Sequence, residues 1–174
     1  MKINNKDKNI VLIGFMGSGK TSVGKRLSLV LKREFIDTDD FIEKREGMTI
    51  NEIFKEKGEE EFRKIERELY KRFSIPKKKI IATGGGVIKN PANIANLKKG
   101  GVIVYLKSSP EKIAQNLKFD NTRPILQVDD KEAKIRELLA QREPFYNKYA
   151  EITIDVSNYD IDHTVDKIIE LAKV

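Results

Sequence analysis

Asn9-Ile-Val-Leu-Ile13-Gly14-Phe-Met-Gly17-Ser18-Gly19-Lys20-Thr21 is the stretch that decides the fold. Asn9 to Ile13 has the length and Ile/Val content of a buried strand, and Lys20 to about Leu31 has helical period. Between them, Gly14 to Thr21 matches the phosphate loop G-x-x-x-x-G-K-[ST] in its required strand-loop-helix setting. Glycines let the backbone curl until successive N–H groups point at phosphate oxygens, and the positive end of the next helix adds to the attraction. Gly17, Ser18, Gly19, Lys20 and Thr21 are therefore candidate ligands of a nucleoside triphosphate, with Lys20 for the β- and γ-phosphates and Thr21 for magnesium. The alternative, a glycine turn with only structural duties, leaves the Lys-Thr pair unexplained.

Outward from the loop, short apolar runs alternate with longer helical segments, which predicts an α/β fold with a parallel sheet. Strands are expected near Asn9–Ile13, Glu34–Asp37, Lys79–Thr83, Val102–Leu106 and Ile152–Asp155. Helices are expected from Lys20 to Leu31, Asn90 to Lys98, Pro110 to Leu117 and Asp130 to Lys148, with a last one running to the C-terminus. The insert from Asp39 to Ser74 is helical but interrupted at Gly47 and Gly58, the pattern of several short helices forming a side lobe. One domain over residues 1–174 is expected, with a substrate-binding lobe at about 38–75 and a lid at about 118–129.

Composition narrows the classes. No cysteine is present, which removes disulfides, cysteine-ligated zinc and a thiol nucleophile. No apolar run is long enough for a membrane span, and the start from Met1 to Asn9 is polar, so the expectation is a cytoplasmic protein without membrane attachment. The net charge of +7 fits several anionic partners, but the densest basic run, Lys77-Lys78-Lys79, has no interleaved aromatics, so no nucleic-acid partner is expected. The Asp-x-x-Gly and Asn-Lys-x-Asp strings of a regulatory GTPase do not occur. A motor or transport ATPase normally has a larger chain, so a small phosphotransferase with an acceptor lobe fits best.

Three further features mark the acceptor side. Asp37-Thr38-Asp39 closes the second strand, where ligands bind in open parallel sheets. One carboxylate there can help order a magnesium shell or take a hydroxyl proton, and the other can hydrogen-bond a polyol. A helix N-cap formed by Thr38 or Asp39 is the structural alternative. Arg63 lies on a helix one turn after Glu59, so a plain salt bridge competes with a binding role. Gly84-Gly85-Gly86 follows the third strand and either presents N–H groups to an anion or permits close approach of a substrate ring.

Together with these features, Glu61-Phe-Arg63-Lys-Ile-Glu66, Ala82-Thr-Gly-Gly-Gly86, Thr122-Arg123-Pro124 and Gln141-Arg142-x-Pro144-x-Tyr146 occur in the order seen in shikimate kinases. The chain resembles that family over nearly its whole length. The resemblance implies a nucleoside-monophosphate-kinase-like fold, a five-stranded parallel sheet in the order 2-3-1-4-5, with a substrate lobe and a mobile lid. It also implies ATP- and magnesium-dependent phosphorylation of shikimate to shikimate 3-phosphate, a step of chorismate and aromatic amino-acid biosynthesis, by a monomer.

Carried onto this chain, the resemblance makes Asp37 the acid on the hydroxyl and magnesium side, reaching the metal through water, and Asp39 a ligand of the shikimate hydroxyls. Arg63 and Arg142 would grip the shikimate carboxylate, with Gly84, Gly85 and Gly86 completing the pocket and Phe54 and Phe62 candidates for its wall. Arg123 sits among turn formers in Phe119–Leu126, where a closing loop would bring it onto the ATP phosphates. Asn116 and Ser157-Asn158-Tyr159 depart from the basic residues often found in the family near adenine. His163, the only histidine, is expected to be a surface or capping residue. Another acceptor on the same fold, gluconate or a nucleoside monophosphate, and an inert phosphate-loop module are the rival readings.

Overall fold

The computed structural model describes residues 5–174, so Met1 to Asn4, part of the polar start, lie outside the described residues. Five strands, β1 (Asn9–Ile13), β2 (Phe35–Asp37), β3 (Ile80–Ala82), β4 (Gly101–Lys107) and β5 (Ile152–Asp155), form one sheet. Its order is β2-β3-β1-β4-β5 and every pairing is parallel, as the resemblance implied. The helices are α1 (Lys20–Leu31), α2 (Thr38–Glu46), α3 (Ile50–Arg72), α4 (Pro91–Gly100), α5 (Pro110–Asn116), α6 (Lys131–Tyr149) and α7 (Ile161–Ala172).

Strand alternation divides the core between the two faces. Ile10 and Leu12 of β1 point toward Val23 and Leu27 of α1 and Val165 and Ile168 of α7. Val11 and Ile13 point the other way, into a larger cluster with Leu69 of α3, Leu97 of α4 and Ile135 of α6. All five residues of β1 are buried, because it is the central strand and is covered on both faces. The edge strands β2 and β5 are less enclosed. Among the described residues no helix is long and apolar enough to cross a membrane.

The helical insert is interrupted at its two glycines. Gly47 ends α2, and α3 restarts at a capping box in which Thr49 and Glu52 satisfy each other's backbone N–H. At Gly58, with φ 84° and ψ 164°, the backbone leaves helical geometry, so Ile50–Arg72 is two helices that meet at a kink, and the insert breaks at both glycines as expected. The basic run at Lys77 to Lys79 is partly neutralised, Lys78 pairing with Asp7 at 2.9 Å and Lys79 with Glu34.

Asn9 holds the chain between α3 and β3. Its side-chain oxygen accepts from the backbone N–H groups of Lys77 and Lys79 at 3.0 and 2.9 Å, and its amide nitrogen donates to the Ile75 carbonyl at 3.2 Å. Asn9 is buried, so its removal strands backbone groups out of reach of water. Asn9→Ala is predicted to lower the unfolding free energy by about 2–3 kcal/mol in urea titrations. An unchanged midpoint would mean that other contacts hold this segment.

Candidate active site

The phosphate loop runs from the end of β1 into α1, at the carboxyl edge of the sheet. Gly17 and Gly19 have φ of 76° and 91°, a region that L side chains rarely adopt. Gly19 caps α1 without a side-chain bond, and the first turn of α1 carries no acid, so its N–H groups remain available to an anion. Lys20 Nζ curls back onto the carbonyls of Gly14 and Phe15 at 2.6 and 3.0 Å. Burial pushes its pKa down to about 8, the charge of Arg123 adds to that, and Asp39 and Asp37 oppose it. A cleft of about 1030 Å³ opens beside the loop and is lined by Gly17, Gly19, Arg26, Asn116 and Tyr159. Asn116 also donates to the Gly17 carbonyl at 2.8 Å.

Asp37 ends β2 and serves two helices. Its Oδ2 accepts from Thr21 Oγ1 at 2.9 Å, and its Oδ1 accepts from the N–H groups of Asp39 and Asp40 at 3.1 and 3.2 Å. The N-cap of α2 is therefore Asp37, not Thr38 or Asp39, because the strand ends one residue before the first helical turn. Thr38 turns inward instead. Its hydroxyl accepts from the Gly84 N–H at 3.0 Å and lies 3.3 Å from the hydroxyl of buried Tyr70. Asp39 lies against the glycine turn after β3, where burial first, and then the charges of Asp37 and Glu66, raise its pKa to about 6.

The triple glycine makes room for three charged side chains. A Cβ on Gly84 would lie 2.6 Å from an Asp39 oxygen, one on Gly85 3.4 Å from Arg142, and one on Gly86 2.3 Å from Arg63. The three positions are thus in contact with an acid and two arginines drawn from α2, α6 and α3. Thr83 ties the same turn to β1 by donating its N–H and its hydroxyl to the Leu12 carbonyl.

Arg63 has the Glu59 partner expected one turn away, at 3.5 Å, but its shorter bond is to Glu66 at 3.0 Å. Glu66 is buried, and burial raises its pKa against the pull of Arg63. Pairing with Arg63 offsets the cost of that buried charge and fixes the guanidinium. Arg63 also lies over Phe62 and Phe54, 5.1 and 5.9 Å from their ring centres. Arg142 stacks over Phe15 at 5.4 Å. Arg63 Nε, one terminal nitrogen of Arg142 and Ser18 Oγ are buried without a hydrogen-bond partner within the protein. Buried donors of this kind call for an acceptor, and a carboxylate or phosphate suits them.

Arg123 lies between α5 and α6 and is felt electrostatically by Lys20 and Asp39. Lys20, Asp37, Asp39, Arg63, Arg123 and Arg142 thus share one site with the triple glycine. Sequence reading gave no role to Phe15, named Glu66 only within a family motif and offered Thr38 only as a helix cap. Only Glu66 carried a local signal, its position three residues after Arg63 on a helix. His163 is an exposed surface residue whose ring lies 4.4 Å from that of Tyr159, and the cap of α7 is Asp160.

A family model described as shikimate kinase matches residues 16–173. A shikimate kinase of Caldanaerobacter subterraneus subsp. tengcongensis is 51% identical over 162 residues, covering 93% of this chain and 94% of that protein. One from Thermoanaerobacter pseudethanolicus is 47% identical, covering 94% and 95%. Among solved structures, shikimate kinase from Acinetobacter baumannii in complex with shikimate superposes with a TM-score of 0.89 at 39% identity, covering 98% of this chain and 95% of that one. With sequence and backbone agreeing from the phosphate loop through the glycine turn to the last helix, the chain belongs to the shikimate kinase family.

Proposed function

We propose that the protein transfers the γ-phosphoryl group of ATP to a hydroxyl of shikimate, giving shikimate 3-phosphate for chorismate and aromatic amino-acid biosynthesis. The observation that carries this reading is the triple glycine in contact with Asp39, Arg63 and Arg142, beside a phosphate loop, in a chain of this family. A monoanionic ring bearing hydroxyls needs cationic forks for its carboxylate and an acid for its alcohols. Gluconate and nucleoside monophosphates leave that combination unexplained. We place the substrate lobe at about 38–75 and the lid at about 118–129 of one domain, working as a cytoplasmic monomer.

The donors present suit magnesium. Thr21 and Asp37 offer two adjacent oxygens, and among the described residues no cluster of three or more His, Cys, Asp or Glu could hold a metal alone. Such a pair fits an ion that keeps waters and takes its remaining ligands from nucleotide phosphates. Bound there, it would neutralise phosphate charge. Lys20, released from its two carbonyls, would hold the β- and γ-phosphates, with Arg123 closing from the lid. Asp37 would aid the attacking hydroxyl and Asp39 would orient the ring, while Arg63 and Arg142 take its carboxylate. The transfer is in line, without a covalent enzyme intermediate.

Magnesium-dependent ADP release, measured with shikimate, gluconate and AMP offered separately, is predicted to be stimulated by shikimate alone. Stimulation by another acceptor would keep the fold and discard the pocket. Lys20→Ala is predicted to lower kcat by at least about 10²-fold. Arg142→Ala is predicted to raise the KM for shikimate by about 30-fold, equivalent to losing a charge-assisted bond of about 2 kcal/mol. A near-normal KM would refute the role of Arg142.

Protonation of Asp39 near pH 6 is predicted to lower kcat/KM for shikimate as the pH falls through that value. The stability effect has the opposite direction. A folded pKa raised above the unfolded value near 3.8 means that the folded state binds the extra proton between pH 4 and 6, so stability falls as pH rises through that window. Asp39→Asn should therefore melt a few degrees above the wild type at pH 8 and level with it at pH 4. Equal melting at both pH values would show that the Asp39 charge is well accommodated.

A further inference from the structure

Arg123 sits on an irregular segment and its side chain is 41% exposed, yet it has to meet a phosphoryl group within a narrow range of positions. A long, exposed side chain on a loop samples many rotamers. The structure supplies a restraint. Asp120 Oδ2 accepts from Arg123 Nε at 3.2 Å. Its Oδ1 accepts from both the backbone N–H and the hydroxyl of Thr122, at 2.8 and 2.6 Å. Both carboxylate oxygens are thereby fixed relative to the turn that carries Arg123.

The turn is itself fastened at both sides. Lys131, the first residue of α6, donates from Nζ to the carbonyls of Leu117 and Asp120 at 2.7 and 3.0 Å. On the turn's other side, Asn51 of α3 donates to the Thr122 carbonyl at 3.2 Å. Asp120 takes the Nε edge of Arg123, so the two terminal amino groups are left for another acceptor, and Lys20 and Asp39 both feel the Arg123 charge. A partly exposed ion pair three residues apart adds little to stability, so the arrangement matters for orientation.

We propose that Asp120, fastened to α6 by Lys131, is a positioning residue that holds the Arg123 guanidinium aimed at the phosphoryl group being transferred. The proposal rests on the reading of Arg123 as a phosphate clamp. Asp120→Asn keeps an oxygen for Thr122 but loses the charge facing Arg123, and Lys131→Met frees the turn from α6. Steady-state kinetics of Asp120→Asn, Lys131→Met, Arg123→Ala and both double variants with Arg123→Ala test it, with melting temperatures alongside.

Each of the first two variants is expected to lower kcat about tenfold, with the KM for shikimate and the melting temperature unchanged. In the Arg123→Ala background neither should cause further loss, since the group they act through is gone. A wild-type or higher kcat in Asp120→Asn or in Lys131→Met, with Arg123→Ala slow, overturns the positioning role alone. A loss of the same size in the Arg123→Ala background also overturns it. A wild-type kcat in Arg123→Ala overturns both this role and the clamp reading of Arg123.

Discussion

The carboxylate of Asp37 joins the parts of the site. One oxygen receives the Thr21 hydroxyl from α1, and the other caps α2. Because Asp37 is the last residue of β2 and pairs with Ala82, its position also sets where the glycine turn after β3 begins. The next residue, Thr38, then binds the Gly84 N–H, and Thr83 binds the Leu12 carbonyl just before the phosphate loop. The segments after β1, β2 and β3 are therefore held in register by short polar bonds at one edge of the sheet. A change at Asp37 disturbs a helix cap and the phosphate loop together, so stability and chemistry are not separable there.

Charge is distributed unevenly around this edge. Lys20 is partly desolvated between cations and carboxylates, and Asp39 is pushed toward neutrality by burial and by its acidic neighbours. Groups held in such an environment destabilise the free protein and interact strongly with a ligand that completes their pairing. Glu66 adds to the cost at Asp39, but as a buried acid it fixes Arg63 while leaving its Nε unpartnered. Phe15 and Phe62 do the same for Arg142 and Arg63 through their ring faces, without consuming hydrogen-bond donors.

The three consecutive glycines are explained by the same crowding. Glycine costs backbone entropy on folding, and a turn rarely needs three in succession. Here each is in contact with a different charged side chain, at Gly84 and Gly86 so closely that a Cβ would overlap it. The run is a record of how tightly an acid and two arginines are gathered against one strand end.

The phosphate loop, the strand and helix alternation and the family motifs are local patterns of spacing and residue type, and these determined the fold class, the strand segments and the family from sequence alone. Order within the sheet came through resemblance, since periodicity does not specify which strands are neighbours. Tertiary structure decided what each charged residue touches. Sequence placed Glu59 beside Arg63 by helical spacing, whereas burial made Glu66 the closer partner. It offered Thr38 or Asp39 as a cap, whereas the end of β2 gave that duty to Asp37 and sent Thr38 into the core. The contacts of Asn9, Gly84, Gly85 and Gly86, and the meeting of Phe15 with Arg142, join residues far apart in the chain. Such contacts follow from packing helices from different parts of the chain onto one sheet edge, which no local pattern encodes.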